Sequence, residues 1–297
     1  MFLYRVHGLN ISSELECPSL EKATGKEDLF IRFGKVQHTS SVGKDFHGAF
    51  TALGKNTLCA NIKGIAHYLV KEGREIIIER YPDADDDHVR LFLLGTMLGI
   101  ILHMRGFLPL HACGIVHKGK AILFMGDSGV GKSTLTEAFR RKGYQLLSDD
   151  VCCVRIGDDN RASIFPSIPG ISLSLDSMDY FQLPKSEFKR GLHFKSKYVY
   201  PRNDSFSDKE VPLKQAYILK IHESDKIILK NPNKLEKAAL LREETYRKLA
   251  IKKLGRFNYH LNQCVRLSKM MEMKVLHRPD EILRLPEIVT ALEKDFQ

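Results

Sequence analysis

The chain has 297 residues, 46 Lys+Arg against 36 Asp+Glu for a formal net charge of +10, and 43% hydrophobic residues. That length suits one large domain or two smaller ones, and the hydrophobic share is enough for packed cores, which excludes a fibrous chain, a low-complexity tail and a disulfide mini-scaffold. The cysteines at 17, 59, 113, 152, 153 and 264 form no C-x-x-C pair and show no zinc-ligand spacing, so they read as the reduced thiols of a cytoplasmic protein.

In chain order, Met1–Arg5 turns polar too early for the apolar core of a signal peptide. Residues 1–81 read as a β-rich N-terminal region, with strands at Leu3–Val6, Leu29–Phe33 and Glu75–Glu79. Pro82 ends that region, and residues 82–297 form the remainder. Asp83–Asp87 reads as the acidic cap of an apolar helix over His88–Met104, because the helix dipole favours carboxylates at its start. The charge-free stretch Leu91–Leu102 is too short for a bilayer span, which needs about 20 residues, and reads as a buried helix. Gly114–Val116 and Ala121–Met125 flank the turn His117–Lys120 as a hairpin. A glycine loop follows, then a helix over Lys132–Lys142 closed by Gly143. Gln145–Leu147 is a short buried strand ending at Asp149-Asp150. Val151–Ile156 and Ala162–Phe165 form a second hairpin. Residues 184–210 read as a long mobile basic loop, 234–254 as helical, and 281–295 as a C-terminal helix.

Chemistry enters at Gly126-Asp127-Ser128-Gly129-Val130-Gly131-Lys132-Ser133, which matches G-x-x-x-x-G-K-[ST] between a strand and a helix. Glycines let the backbone curl so that successive amides and the helix start, with Thr134 next in line, face phosphate oxygens. Lys132 can reach the terminal phosphates, and the Ser133 hydroxyl can ligate Mg²⁺. Neither an Asn-Lys-x-Asp guanine motif nor a Leu-Ser-Gly-Gly-Gln signature accompanies the loop, which argues against guanine specificity and against ABC assembly. At the end of the next strand stand Asp149 and Asp150: one carboxylate can serve the metal, the other can take a proton from an attacking hydroxyl. His111 precedes the hairpin that feeds the loop.

These segments, His111-Ala-Cys-Gly-Ile-Val, the glycine loop, Lys142-Gly143-Tyr144 and Ser148-Asp149-Asp150-Val151, together resemble the catalytic core of HPr kinase/phosphorylase. The run Arg105-Gly106 to Leu110-His111 is similar to stand-alone HPr-kinase-like proteins, and the close match spans roughly residues 90–155. The resemblance implies an α/β, PEP carboxykinase-like P-loop fold with a β-rich N-terminal part, and transfer of the ATP γ-phosphate to a serine. By motif position it implies Asp149 as the base, Asp150 with Ser133 at the metal, and His111 beside the base. It also leads us to look for a further acid near Ser167–Gly170, where this chain has none. That departure weighs against phosphorolysis and against HPr as the acceptor. The chain's length, β-rich start and basic C-terminal half look similar to kinases that phosphorylate a serine of a lasso-peptide precursor.

Residues 185–202 carry six Lys/Arg (Lys185, Lys189, Arg190, Lys195, Lys197, Arg202) against Glu187, and residues 234–274 carry eleven Lys/Arg against four Glu. No aromatic-interleaved basic pattern goes with them, so nucleic acid is not the expected partner, nor is a membrane. The charge suits a solvated surface, or a funnel for ATP and an acidic peptide in which Arg190, Lys195 or Lys197 steadies the transferring phosphate. The sequence-based expectation is therefore an ATP- and Mg²⁺-dependent serine kinase of peptides or proteins, with a homo-oligomer allowed. A small-molecule kinase, a nucleotidyltransferase and a nucleotide-binding regulatory module are the rivals.

Overall fold

Alternating burial builds the first strands. In the computed structural model, which describes residues 1–36, 50–190, 197–200 and 206–296, the strands β1 (Phe2–Val6), β2 (Leu9–Ser13), β3 (Glu21–Lys22), β4 (Leu29–Phe33), β5 (Phe50–Gly54), β6 (Thr57–Ile62), β7 (Ala66–Lys71) and β8 (Glu75–Arg80) pair in the order β3-β1-β2-β4-β8-β7-β6-β5. Tyr4, Val6, Leu29, Ile31, Ile76 and Ile78 are buried at every second position, the pattern of a sheet with one covered face. β4 lies parallel to both β2 and β8, while β5 to β8 form an antiparallel meander.

The acidic cap is seen: the Asp85 side chain accepts from the Asp87 amide at the start of α1 (Asp86–Phe92), which runs through a π-helical turn, Leu93–Met97, into α2 (Leu98–Met104). By length and composition Asp86–Met104 could cross a membrane, but 67% of its apolar window is buried inside the protein. The Tyr68 hydroxyl donates to Val89 O at 3.0 Å. A Cβ on Gly99 would stand 2.9 Å from the Tyr246 ring, so the glycines of this helix admit that ring. The helix is thus core structure of a first unit, Met1–Pro109 with Tyr246–His260. The boundary falls after Pro109 rather than at Pro82, because the helix buries its apolar surface with the strands that precede it.

The second unit comprises Leu110–Thr245 and Leu261–Gln297. The hairpin is β9 (Leu108–His117) and β10 (Lys120–Met125), joined through Lys118 and Gly119, both at positive φ, as tight hairpin turns require. α3 (Lys132–Arg141) follows the glycine loop. Gly143, at φ +90°, returns its amide to Arg140 O and closes the helix. Next come β11 (Gln145–Ser148), β12 (Val151–Ile156), β13 (Ala162–Phe165), β14 (Ile171–Ser174) and α4 (Leu175–Tyr180). The basic stretch 184–210 is not simply a loop: β15 (Lys189–Arg190) and β16 (Lys197–Tyr200) pair antiparallel with each other, and β16 pairs with β14. Lys195 and Arg202 lie outside the described residues. β17 (Val211–Ile221) and β18 (Ile228–Lys230) lead to α5 (Lys234–Glu243). After α6 (Lys248–Lys253) in the first unit come α7 (Phe257–Met270), β19 (Glu272–Arg278) and α8 (Leu285–Phe296).

Pairings from β9 through β10, β17, β13 and β12 back to β9 close a circuit of strands. β10 is held on both sides, antiparallel to β9 and parallel to β17. Against it packs α3: the Phe124 and Phe139 rings stack at 5.5 Å, and Phe296 of α8 meets Phe139 at 5.7 Å. Both ends of the glycine loop are therefore anchored in one apolar core that also includes Ile122, Leu135 and Leu292. The helical stretch 234–254 is broken in two. Between α5 and α6 the chain turns at Glu244–Arg247, with Arg247 at φ +52°.

Candidate functional site

The loop from Gly126 to Gly131 is built on glycines at φ +130°, +88° and +97° (Gly126, Gly129, Gly131), a region that side chains rarely adopt. A Cβ on Gly126 would lie 2.6 Å from Leu219 O, so only glycine lets β10 pass this close to β17. At Gly129 a Cβ would meet nothing within 4 Å; there the loop opens outward. Asp127 and Ser128 are exposed, and Val130 is buried beneath the loop. Lys132 is buried and curls into the loop, its Nζ donating to Gly126 O at 2.6 Å and Asp127 O at 3.0 Å. Thr134 Oγ1 shares a hydrogen bond with Ser177 Oγ at 2.7 Å.

The paired acids sit in the turn between β11 and β12, and they face different partners. Ser133 Oγ donates to Asp149 Oδ1 at 2.9 Å, the Cys113 thiol donates to the same oxygen at 3.1 Å, and the Ser172 amide donates to Oδ2 at 2.8 Å. Burial pushes the Asp149 carboxyl above its ordinary range, and the neighbouring Asp150 charge adds to the rise, while these donors oppose it. Asp150 sits at φ +80°, a conformation that Asp tolerates better than most residues. At that reversal the two adjacent carboxylates take different partners. The exposed Asp150 carboxylate lies 3.2 Å from His111 Nδ1, which donates to Asp150 O at 3.1 Å. The acid touching the Ser133 hydroxyl of the loop is thus Asp149, and the exposed acid beside the histidine is Asp150. The resemblance implied Asp149 as the base and Asp150 at the metal; these contacts give the surroundings of each carboxylate.

Two further residues come from far along the chain. Glu244, in the break after α5, accepts the His111 amide on its backbone oxygen at 2.7 Å. Its carboxyl is raised by burial and accepts from the Gly126 amide, with Lys132 and His111 as nearby opposing charges. Nothing in its local sequence marks it; only the helix break delivers it. An acid therefore stands at the mouth of the loop, although the Ser167–Gly170 turn offers none. Arg278, at the end of β19, donates to Val130 O through Nη2 at 2.6 Å and Nε at 3.2 Å, and to Pro279 O through Nη1 at 2.6 Å. A Cβ on Gly131 would fall 2.8 Å from its guanidinium. Arg105, by contrast, is occupied within the first unit by Asp28 O and Gly73 O.

The residues present fit a phosphate chain and a small hard cation. The loop is open at Gly129, its lysine is within reach, and a hydroxyl–carboxylate pair stands at the first turn of α3. Mg²⁺ characteristically uses one or two carboxylates plus substrate phosphates. No family model matches the sequence, and no curated protein matches it. Among solved structures, the chain is similar to the HPr(Ser) kinase/phosphatase from Coxiella burnetii, with 12% identity, 63% of this chain and 95% of that chain covered, and a TM-score of 0.33. A likeness that distant carries no information about chemistry.

Proposed function

We propose that the chain is an ATP-dependent phosphotransferase whose acceptor is a serine hydroxyl of a peptide or protein. The observation that carries the reading is the juxtaposition of a curled glycine loop with two differently placed acids: Asp149 on Ser133, and Asp150 on His111. The loop amides and Lys132 hold the phosphates of ATP, and Lys132 exchanges its two carbonyl partners for phosphate oxygens. Ser133 and Asp149 would hold Mg²⁺, which when bound neutralises charge on the transferring group. Asp150 takes the proton from the acceptor hydroxyl, and His111 fixes its carboxylate. The acceptor oxygen bonds to the γ-phosphorus, the bond to the β,γ-bridging oxygen breaks, and ADP leaves. Glu244 keeps the first loop amide and the His111 backbone in register. The finer reading, a serine of a lasso-peptide precursor, rests on the motif resemblance.

The test is incubation of the full chain with ATP, Mg²⁺ and candidate precursor peptides, read by mass spectrometry. Addition of one phosphate to a serine is expected. A nucleotide adduct would replace this reading with nucleotidyl transfer, and binding of ATP without transfer to any peptide would replace it with a regulatory role.

A further inference from the structure

The segment Tyr246–His260 belongs to the first unit and holds five Lys/Arg with no Asp or Glu. It folds as α6 and the start of α7, linked through residues 254–256 with Gly255 at φ +65°. Its inner side is fixed. Ala250 and Ile251 are buried, α6 lies on β5, and Arg256 donates to His103 O and to Asn56 Oδ1, each at 3.0 Å. The outer side is not spent on the fold. Lys252 and Lys253 are exposed, and among the described residues neither has an ion-pair partner. Leu249, four residues before Lys253 and so on the same helix face, is 47% exposed, and Phe257 is 51% exposed. Large apolar side chains thus stand half in solvent among unneutralised cations.

That combination selects a class of partner. Cations without counter-charges of their own attract carboxylates and set orientation. Apolar side chains ringed by charge serve as anchors for a partner's apolar groups. Nucleic acid is less suited to this face. Single strands stack on aromatic rings, but the apolar side chain among the lysines is Leu249, and the Tyr259 hydroxyl is tied to Gly106 O of its own unit at 3.4 Å. A bilayer is less suited too. Helices that lie on membranes present a continuous apolar face, and Leu249 is the exposed apolar residue of the six in α6.

We propose that this face docks an acidic segment of the acceptor polypeptide that carries apolar residues, with Lys252 and Lys253 meeting its carboxylates and Leu249 and Phe257 its apolar side chains. The inference rests on the peptide-acceptor reading above and adds which part of the acceptor is held apart from its serine. The test uses the full chain and a fluorescein-labelled peptide of Glu residues interrupted by Leu and Phe, read by fluorescence anisotropy. Wild type is expected to bind it, with affinity falling as salt rises. The double variant Lys252→Glu with Lys253→Glu should weaken it at least tenfold, and Leu249→Ala should weaken it several-fold. Calorimetric ATP binding should stay within twofold of wild type in both, which also reports an intact fold. If the reversed pair fails to fold, Lys252→Gln with Lys253→Gln carries the same expected direction of change. Undiminished peptide binding in the lysine variants overturns the inference. So does binding of anionic lipid vesicles or duplex DNA as tight as that of the peptide and lost in the same variants. Peptide binding without phosphate transfer to any acceptor would instead overturn the phosphotransferase reading and leave the docking face standing.

Discussion

Asp149→Asn tests the proposed metal-side role of this acid with little structural disturbance. Asp149 accepts three hydrogen bonds, from Ser133 and Cys113 on Oδ1 and from the Ser172 amide on Oδ2. An asparagine can keep its oxygen on the Ser172 amide and turn its NH₂ toward Ser133, whose hydroxyl can rotate to accept. Only the weak thiol donor loses its acceptor, at a cost of about 0.5–1.5 kcal/mol. Removing a carboxylate that burial already penalises offsets part of that. Net stability should stay within about 1 kcal/mol, a melting shift of no more than about 4 °C. Binding should change far more. Interactions with a charged group contribute about 1.5–3 kcal/mol, so the tightening of ATP binding by Mg²⁺ should fall roughly 10- to 100-fold. The same raised carboxyl sets a pH dependence. The metal-free folded state holds this proton to higher pH than the unfolded chain does, so its stability declines as pH rises from the ordinary Asp range through the raised value. Metal-dependent ATP binding should weaken as pH falls through that same raised value, and Asp149→Asn should flatten both profiles. ATP titrations with and without Mg²⁺ across pH, alongside thermal melts, provide the assay. Wild-type magnesium dependence in the variant would refute the assignment.

Asp150→Asn should behave in the opposite way. Asparagine tolerates the same backbone conformation, so melting and Mg-dependent ATP binding should hold, while phosphate transfer drops by about 10²–10⁴, the usual contribution of a positioned base; rapid-quench kinetics that showed undiminished transfer would remove Asp150 from that role. The loop glycines should separate by position. Gly126→Ala meets the Leu219 carbonyl in addition to strain at φ +130°, so a loss of about 3 kcal/mol or more is expected, whereas Gly129→Ala, with open space around it, should cost about 1 kcal/mol; chemical denaturation measures both, and equal losses would contradict the geometry.

Local chemistry made the glycine loop, its flanking strand and helix, the Gly143 stop and the Asp85 cap legible in the sequence, because each is set by neighbours a few residues apart. The strands at Leu3–Val6, Leu29–Phe33 and Glu75–Glu79 were legible for the same reason: period-two burial is a local pattern. The paired acids were visible as a pair. Their separate surroundings were not, since these depend on the positive φ of Asp150 and on which oxygen Ser133 reaches. Nor could composition indicate that residues 197–200 pair as a strand with 171–174, because a basic stretch and a basic strand look alike without a partner.

Glu244 and Arg278 show where reading along the chain ends. Neither lies in a motif, and each arrives at the loop from a distant element, one through a helix break and the other at the end of a strand parallel to β17. The amino-acid order by itself determined that a glycine-built backbone curl exists between Met125 and Lys132. Only the tertiary structure decided which charges surround that curl and which side of it is apolar, because those contacts join residues whose separation along the chain carries no signal, and they form only when the strands close their circuit.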